Sequence, residues 1–346
     1  MARARTETHL VRRFAAATDV ERDVERDVGT QALTPTSASM STERELAGSA
    51  WSASDSNERD RTDGSPTVGA GALTDLGRRP EAVLVEEPLE IRVDAATATT
   101  TMRTPGHDYE LAAGWCHAEG ILNGASIRAI RYCATGSAVD SGFNVVTVDT
   151  VGRTVAPEPR LTTTTSSCGI CGTDAVDALT DRLEPLPARP VLSVAIIAAL
   201  NGLVAGRQEL FEQTGASHAA AAIDEHGAVV VVREDIGRHN AVDKVVGRLL
   251  LDGALPATGQ VLWVSGRASF EMAQKAWAAG FSALVSVSAP SSLAVRTAQR
   301  AGLVLIGFSR GARFTVYAGA DRFPGAAPAM AGVGGSPGST AKGDDG

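Results

Sequence analysis

The chain has 346 residues, 44% of them hydrophobic and 21% charged, and its formal net charge is −8. These proportions are typical of a globular protein, and the acidic balance lacks the basic stripe that binding to RNA or DNA requires. No apolar run follows the N-terminal arginines, and no run is long enough to span a bilayer, so we predict a cytoplasmic protein without membrane contact.

Both ends of the chain are predicted to be disordered. Residues 1–79 are rich in Ser, Thr and alternating charges without an apolar period, and residues 321–346 are rich in Gly, Ala and Pro. The ordered body is therefore expected between them. We divide it into a smaller mixed α+β domain at 80–185 and an α/β domain at 186–320.

The first half of this body alternates short β-favouring runs with one helical stripe. Strands are predicted at 82–85, 89–93, 97–102, 127–132 and 144–148. Asp108 is the predicted N-cap of a helix whose apolar side contains Leu111, Trp115 and Ala118. A polar, then Gly-rich stretch at 162–172 is predicted to be a loop, followed by a short helix at 174–183.

The sequence pattern of the second half of the body predicts an α/β fold. An apolar run predicts a core helix at 191–206, and a turn at 224–227 predicts a hairpin. Helices at 241–251, 270–279 and 293–301 alternate with strands at 261–264, 283–288 and 303–307, and a last strand lies at 314–317. This alternation indicates βαβ units and a largely parallel sheet.

Ligands of open α/β sheets bind outside the carboxyl ends of the strands. Four segments there, 233–240, 265–269, 288–292 and 308–313, combine Gly, Ser and Arg, which suit phosphate, so we predict a polyphosphate ligand. The candidate ligand-binding residues are Arg238, His239, Lys244, Ser265, Gly266, Arg267, Lys275, Ser288, Ala289, Pro290, Phe308, Ser309, Arg310, Gly311, Ala312 and Arg313.

Several of these residues have a structural interpretation as well. Lys244 and Lys275 are two of the chain's three lysines and follow the loops, but they could equally be solvated helix charges. His239 and Asp243 are four residues apart and could pair on a helix face. His218 could be a core histidine whose hydrogen bonds are satisfied.

Cys168 and Cys171 enclose Gly169 and Ile170 in the predicted loop. Two thiols at this spacing can share a metal, form a disulfide or activate each other, and a helix N-terminus lowers thiolate pKa. The flanking glycines and the polar stem favour a nucleophilic sulfur carrier that holds sulfur as a persulfide. The alternative is half of a zinc site, which Cys116, His117 and Cys133 would have to complete. Otherwise Cys116 and Cys133 are small buried hydrophobes.

A zinc deaminase is the competing enzyme class. Its signature, H-x-E followed by P-C-x-x-C, is approximated by His117, Glu119 and the cysteine pair. Ser167 replaces the proline, and two helical residues two apart point about 200° apart. Both departures disfavour zinc.

Taken together, the motifs resemble the FdhD/NarQ family of formate dehydrogenase accessory sulfurtransferases, in order over about residues 80–320. The matching segments are EEPL (86–89), RTPGHD (103–108) through EGI (119–121), SCGICG (167–172), REDIGRHNAVDK (233–244), SGR (265–267), SAP (288–290) and GFSR (307–310).

The resemblance implies a sulfur carrier that takes sulfane sulfur from a cysteine desulfurase. It would deliver that sulfur to the molybdenum bis(molybdopterin guanine dinucleotide) cofactor of formate dehydrogenase. Cys168 would hold the persulfide with Cys171 as its partner, residues 308–313 would bind the cofactor, and Phe308 could stack on guanine. The resemblance also implies a homodimer, a cytidine deaminase-like C-terminal domain and no zinc. A cofactor-escort chaperone without chemistry remains the alternative.

Overall fold

The computed structural model describes residues 3–16, 73–94, 96–133, 137–151, 154, 180–189 and 193–323. The contacts within the chain divide it into two compact units, one formed by residues 8–81 and the other by the rest. The predicted cysteine loop at 162–172, most of the predicted helix at 174–183 and residues 324–346 lie outside the described residues. No helix in the described part of the chain is both long and apolar enough to cross a membrane.

Two strands lie where the sequence predicts disorder. They are β1 (Thr6–Ala16) and β2 (Leu73–Leu84), and they pair into a two-stranded sheet. The prediction of a disordered extension over 1–79 is therefore wrong for these two segments, while residues 17–72 lie outside the described ones. The local sequence pattern did not reveal these strands, because each pairs with a segment more than fifty residues away.

The first sheet of the larger unit has four strands in the order β4-β3-β6-β5. They are β3 (Glu87–Val93), β4 (Ala96–Arg103), β5 (Ser126–Tyr132) and β6 (Val145–Val151), and helix α1 (Asp108–Ala118) supplies the apolar residues packed against them. Leu89, Ile91, Val146 and Val148 are fully buried against Leu111 of α1. The strands predicted at 89–93, 97–102, 127–132 and 144–148 and the helix predicted to begin at Asp108 are thus present. The strand predicted at 82–85 is the end of β2.

The start of α1 differs from the prediction. His107, in the left-handed region at φ 57°, is the N-cap, and no side chain caps the helix. Asp108 instead binds the fully buried guanidinium of Arg103 through two hydrogen bonds of 3.0 Å. Tyr132 donates to the same carboxylate at 3.0 Å. A buried arginine needs a paired anion, so Asp108 serves that purpose.

The second sheet has six strands in the order β12-β11-β10-β9-β7-β8. Its strands are β7 (His218–Ile223), β8 (Val229–Asp235), β9 (Val261–Val264), β10 (Ala283–Ser286), β11 (Val304–Arg310) and β12 (Arg313–Ala318). Strands β9, β10 and β11 are parallel, whereas β7 and β12 run antiparallel to their neighbours. The fold is α/β as predicted, but the sheet is mixed, because hairpins join β7 to β8 and β11 to β12.

Helices pack on both faces of this sheet. They are α2 (Val194–Ala205), α3 (Glu209–Thr214), α4 (Arg238–Leu251), α5 (Phe270–Ala278) and α6 (Ser292–Ala301). One core joins α4, α5 and α6 to alternate strand residues such as Leu262 and Leu305. The opposite core joins α2 to Val261 and Ile306. Alternate side chains of each strand therefore enter different layers, which requires strands that are apolar throughout.

Helices α1 and α4 join the two sheets within the larger unit, and they cross where two glycines meet. A Cβ atom on Gly114 would overlap the backbone oxygen of Asp243, and one on Gly247 would overlap that of Glu110. The division predicted near residue 186 therefore separates two sheets that lie in one contact unit.

An ion pair also joins α1 to the second sheet. Glu110 on α1 accepts from Arg233 on β8 at 2.5 and 2.8 Å, and His107 lies 3.4 Å from its carboxylate. Burial raises the pKa of Glu110, but the hydrogen bonds from Arg233 and His107 outweigh burial and lower that pKa to about 2. The ionised carboxylate is therefore the form that the fold stabilises.

We expect Glu110→Gln to lower the free energy of unfolding by about 2 kcal/mol near neutral pH. Because the folded pKa lies below the unfolded value, the stabilisation is present above about pH 4.5 and is lost as pH falls towards 2. Denaturant titrations from about pH 7 to about pH 3 should show the parent and variant converging. Glu225→Gln, at an exposed turn, is the matched control. A difference that does not depend on pH would contradict this account.

Candidate functional site

The predicted ligand edge forms at the carboxyl ends of β8, β9, β10 and β11. Strand β8 is antiparallel to β7, which is antiparallel to β9, so all four strands end at the same edge. The antiparallel β7 begins there, and His218 is its first residue. The edge therefore combines the four predicted loops with a histidine from a fifth strand.

The loops after β9, β10 and β11 are hydrogen-bonded to one another. Ser286 donates to the Gly266 oxygen at 2.7 Å, and the Ala268 N–H donates to the Ala289 oxygen at 3.2 Å. The Phe308 N–H donates to the Ser288 oxygen at 3.1 Å. These bonds hold the backbones of the predicted segments side by side.

Residues 308–313 surround the bulged end of β11. Phe308 is 43% exposed and adopts φ 49°, in the left-handed region. Arg310, Gly311, Ala312 and Arg313 are also exposed. Ser309 is fully buried, and Asn201 of α2 donates to its backbone oxygen at 2.7 Å. The alternation of the strand thus presents Phe308 and Arg310 outward and turns Ser309 into the core, which argues against a ligand contact from its side chain.

Asp235 organises the loop that follows β8. Its buried carboxylate accepts from the N–H groups of Thr104 at 3.1 Å and Gly237 at 2.8 Å, and from the Asn240 amide at 3.0 Å. Helix α4 begins at Arg238, three residues earlier than predicted, so Arg238 and His239 lie in its first turn.

The structure corrects the prediction that Lys244 contacts a ligand. Its ammonium group is fully buried, forms an ion pair with Asp235 at 2.7 Å and donates to the oxygens of Thr104 and Glu234 at 3.0 and 3.3 Å. An ammonium group has three donors, and all three are occupied. Lys244 therefore stabilises the loop from inside.

Lys275 is likewise bound internally. Its ammonium group lies 2.6 Å from Asp243, and both side chains are almost completely buried. Asp243 therefore does not pair with His239, as the four-residue spacing suggested, and His239 Nε2 contacts the Glu271 carboxylate instead. The two contacts join α4 to α5, His239 and Glu271 in the first turns of both helices and Asp243 and Lys275 further along them.

A polar cluster lies at the N-terminal ends of α4 and α5, and the sequence pattern identified only part of it. His218 Nδ1 is 3.4 Å from Ser265 Oγ, and the Cα of Gly266 faces both His218 and the Arg238 side chain. Arg238 Nε and Ser269 Oγ are shielded from solvent and have no hydrogen-bond partner. Ser269 was recognisable only as a residue before a helix, and His218 was interpreted as a core residue. Antiparallel pairing of β7 brought His218 to this edge.

The cysteines divide into two groups. Cys168 and Cys171 lie outside the described residues, whereas Cys116 and Cys133 are free and buried, as predicted. Burial raises the pKa of the Cys116 thiol far above its usual range, so this thiol is not a nucleophile. His117 is 2.9 Å from the Ala278 oxygen. Among the described residues, no three His, Cys, Asp or Glu side chains are grouped as metal ligands.

Known proteins share this arrangement of segments. The pattern described as FdhD/NarQ family matches residues 84–324. A protein named sulfur carrier protein FdhD from Streptomyces avermitilis is 49% identical over 256 residues, covering 71% of this chain and 90% of its own. One of the same name from Corynebacterium efficiens is 44% identical over 257 residues, covering 70% and 91%.

A crystal structure shows a similar fold. It is that of a protein from Desulfotalea psychrophila assigned as a formate dehydrogenase accessory protein. The two chains are 25% identical, with a TM-score of 0.57 over 72% of this chain and 94% of the other.

Proposed function

This chain belongs to the FdhD/NarQ family, and on that premise we propose that it is a sulfur carrier that loads sulfur onto the molybdenum cofactor of formate dehydrogenase. The supporting observation is the convergence of the Gly-, Ser- and Arg-containing loops at one sheet edge, in a chain that also contains the Cys-Gly-Ile-Cys motif. A phosphate-rich substrate and a reactive thiol are the two requirements of this function.

The proposed loading step is a persulfide transfer at Cys168. Its thiolate attacks the terminal sulfur of a cysteine desulfurase persulfide, and the donor cysteine leaves as a thiolate. Cys171 then attacks Sγ of Cys168, which forms a disulfide and releases hydrosulfide for the molybdenum. The two thiols supply both electrons, and a cellular thiol reductant reopens the disulfide. On this reaction the protein is a sulfurtransferase.

The proposed substrate is molybdenum bis(molybdopterin guanine dinucleotide), which is cargo for this protein. Its phosphates suit Arg238, Ser265, Gly266 and Arg267, whose loops meet at the sheet edge. Phe308 is exposed and could stack on guanine, with Arg310 and Arg313 beside it. Ser288, Ala289 and Pro290 would form the wall between these two regions.

Further expectations come from the family. We propose a cytidine deaminase-like arrangement for the six-stranded domain, a homodimer in solution, and action in the cytoplasm with a cysteine desulfurase and formate dehydrogenase as partners. The zinc deaminase has little support, because His117 is engaged by the Ala278 backbone. The alternative, a cofactor-escort chaperone, would use the same loops to bind the cofactor. It differs from the sulfur carrier only in needing neither Cys168 nor Cys171.

Persulfide loading tests the proposal. We expect incubation with a cysteine desulfurase, cysteine and pyridoxal phosphate to add one sulfur atom (~32 Da) to the intact protein. Cys168→Ala should not gain this mass, whereas Cys116→Ala should, because Cys116 is a buried thiol with a raised pKa. Loading that survives Cys168→Ala, Cys171→Ala and their combination would refute the assignment of the motif.

A further inference from the structure

Two polar atoms at the carboxyl edge are buried without partners. Arg238 Nε belongs to the first residue of α4, and Ser269 Oγ belongs to the N-cap of α5. Ser269 makes no side-chain capping bond, whereas Ser291, which caps α6, accepts from the Ala294 N–H at 3.2 Å. Leaving a buried donor and a buried acceptor unpaired costs about 1–3 kcal/mol each, unless a bound group satisfies them.

The same cluster contains His218, which is surrounded by charge. Ser265 Oγ is 3.4 Å from its Nδ1, and a Cβ added to Gly266 would be 3.5 Å from the ring and 3.4 Å from Arg238 Cδ. Burial lowers the pKa of His218, and Arg238, His239 and Arg267 lower it further, while Asp235 raises it. The imidazole is therefore neutral near pH 7 and becomes a cation when an anion offsets the surrounding positive charge.

The contact between His239 and Glu271 fixes the geometry of the cluster. It links the second residue of α4 to the second residue of α5. The first turns of the two helices are thereby held close together, and Arg238 and His239 of α4 lie near His218. The first N–H groups of each helix have no partner within that helix. Helix N-termini, an arginine and a serine hydroxyl are the groups that bind phosphate in proteins.

From this cluster we propose a phosphate subsite formed by His218, Arg238 and Ser269, at which one pyrophosphate group of the nucleotide-bearing substrate binds. The inference deepens the proposed function and rests on it. Arg238 supplies a planar donor, the Ser269 hydroxyl donates its hydrogen to a phosphate oxygen, and His218 donates once it is protonated. Residues 308–313 then contact a different part of the substrate.

The subsite makes nucleotide binding depend on pH. A bound phosphate favours protonated His218, so affinity rises as pH falls. GDP-mannose is a suitable probe, because its pyrophosphate is a diester that carries no proton titrating between about pH 6 and pH 8. We expect the parent to bind it about 3- to 10-fold more tightly at about pH 6 than at about pH 8.

Isothermal titration with three variants tests the subsite. Arg238→Gln should weaken GDP-mannose binding by about 10-fold or more at both pH values, and His218→Gln should lose most of the pH dependence. Ser269→Ala should weaken binding about 3- to 10-fold. It should leave the melting temperature unchanged or raise it, because it removes a buried hydroxyl that has no partner. If Ser269 had only a structural role, Ser269→Ala would lower the melting temperature.

Matched controls come from α4 and from the turn between β7 and β8. Arg248→Gln removes an exposed arginine from the last turn of α4, and His226→Gln removes an exposed histidine. Both should bind GDP-mannose as the parent does. Parent-like affinity in Arg238→Gln and Ser269→Ala, or no binding of GDP-mannose by the parent, would overturn the subsite. Persulfide loading at Cys168 is measured separately, so the carrier function can stand when the subsite fails.

Discussion

Formate dehydrogenase activity is expected to fall to background when Cys168→Ala or Cys171→Ala replaces the parent in a strain that lacks this protein. The reason is chemical. Without Cys168 no persulfide forms. Without Cys171 no adjacent thiolate attacks Sγ of Cys168, so the outer sulfur is not displaced as hydrosulfide. Activity is measured in extracts after equal expression of each variant.

The outcome also separates the carrier from the escort chaperone. A chaperone that only binds the cofactor needs the sheet-edge loops but neither thiol, so both alanine variants would restore activity. Cys116→Ala is the matched control, because this cysteine is fully buried in the core of the first sheet. It should support full activity once its folding has been verified by thermal melting.

The second large effect is expected at the crossing of α1 and α4. Gly114→Ala or Gly247→Ala should lower the free energy of unfolding by about 3 kcal/mol or more, because the new methyl group overlaps a backbone oxygen of the other helix. Backbone cannot rotate away as a flexible side chain can, so the helices must separate.

Gly202→Ala is the control for this crossing. Gly202 is also helical, in α2, and has no atom within 4 Å of an added Cβ. The Gly202→Ala substitution should therefore leave the free energy of unfolding unchanged or raise it by about 0.5–1 kcal/mol, because alanine has a higher helix propensity than glycine. Thermal and denaturant unfolding measure all three variants. Equal stability of Gly114→Ala and Gly202→Ala would mean that the helices do not approach each other as described.

The positions of the two lysine side chains depend on tertiary contacts, which the local sequence pattern does not reveal. Lys244 and Lys275 were expected at a ligand, yet both lie in buried ion pairs, with Asp235 and Asp243. The spacing of a basic residue after a loop is the same whether its ammonium group points to the ligand or beneath the loop. Only the carboxylates on neighbouring elements distinguish the two cases.

His218 and Ser269 illustrate the reverse error. A histidine at the start of an alanine-rich strand suggests core, and a serine before a helix suggests a cap. Antiparallel β7 places His218 at the ligand edge, and Ser269 forms no side-chain cap. Similarly, strands β1 and β2 were not recognised, because pairing over more than fifty residues leaves no local signal.

The amino-acid sequence alone was sufficient for the α/β class, nearly all strands and helices of the described body, and the loops that meet at one edge. Apolar periodicity and the Gly, Ser and Arg composition of the strand ends are local properties that neighbouring residues encode. Strand direction, the glycine crossing of α1 and α4, and the choice between buried ion pair and exposed donor were decided by tertiary contacts. Such contacts join residues that are distant in the chain and that come together only after the sheets have formed, so no local pattern encodes them.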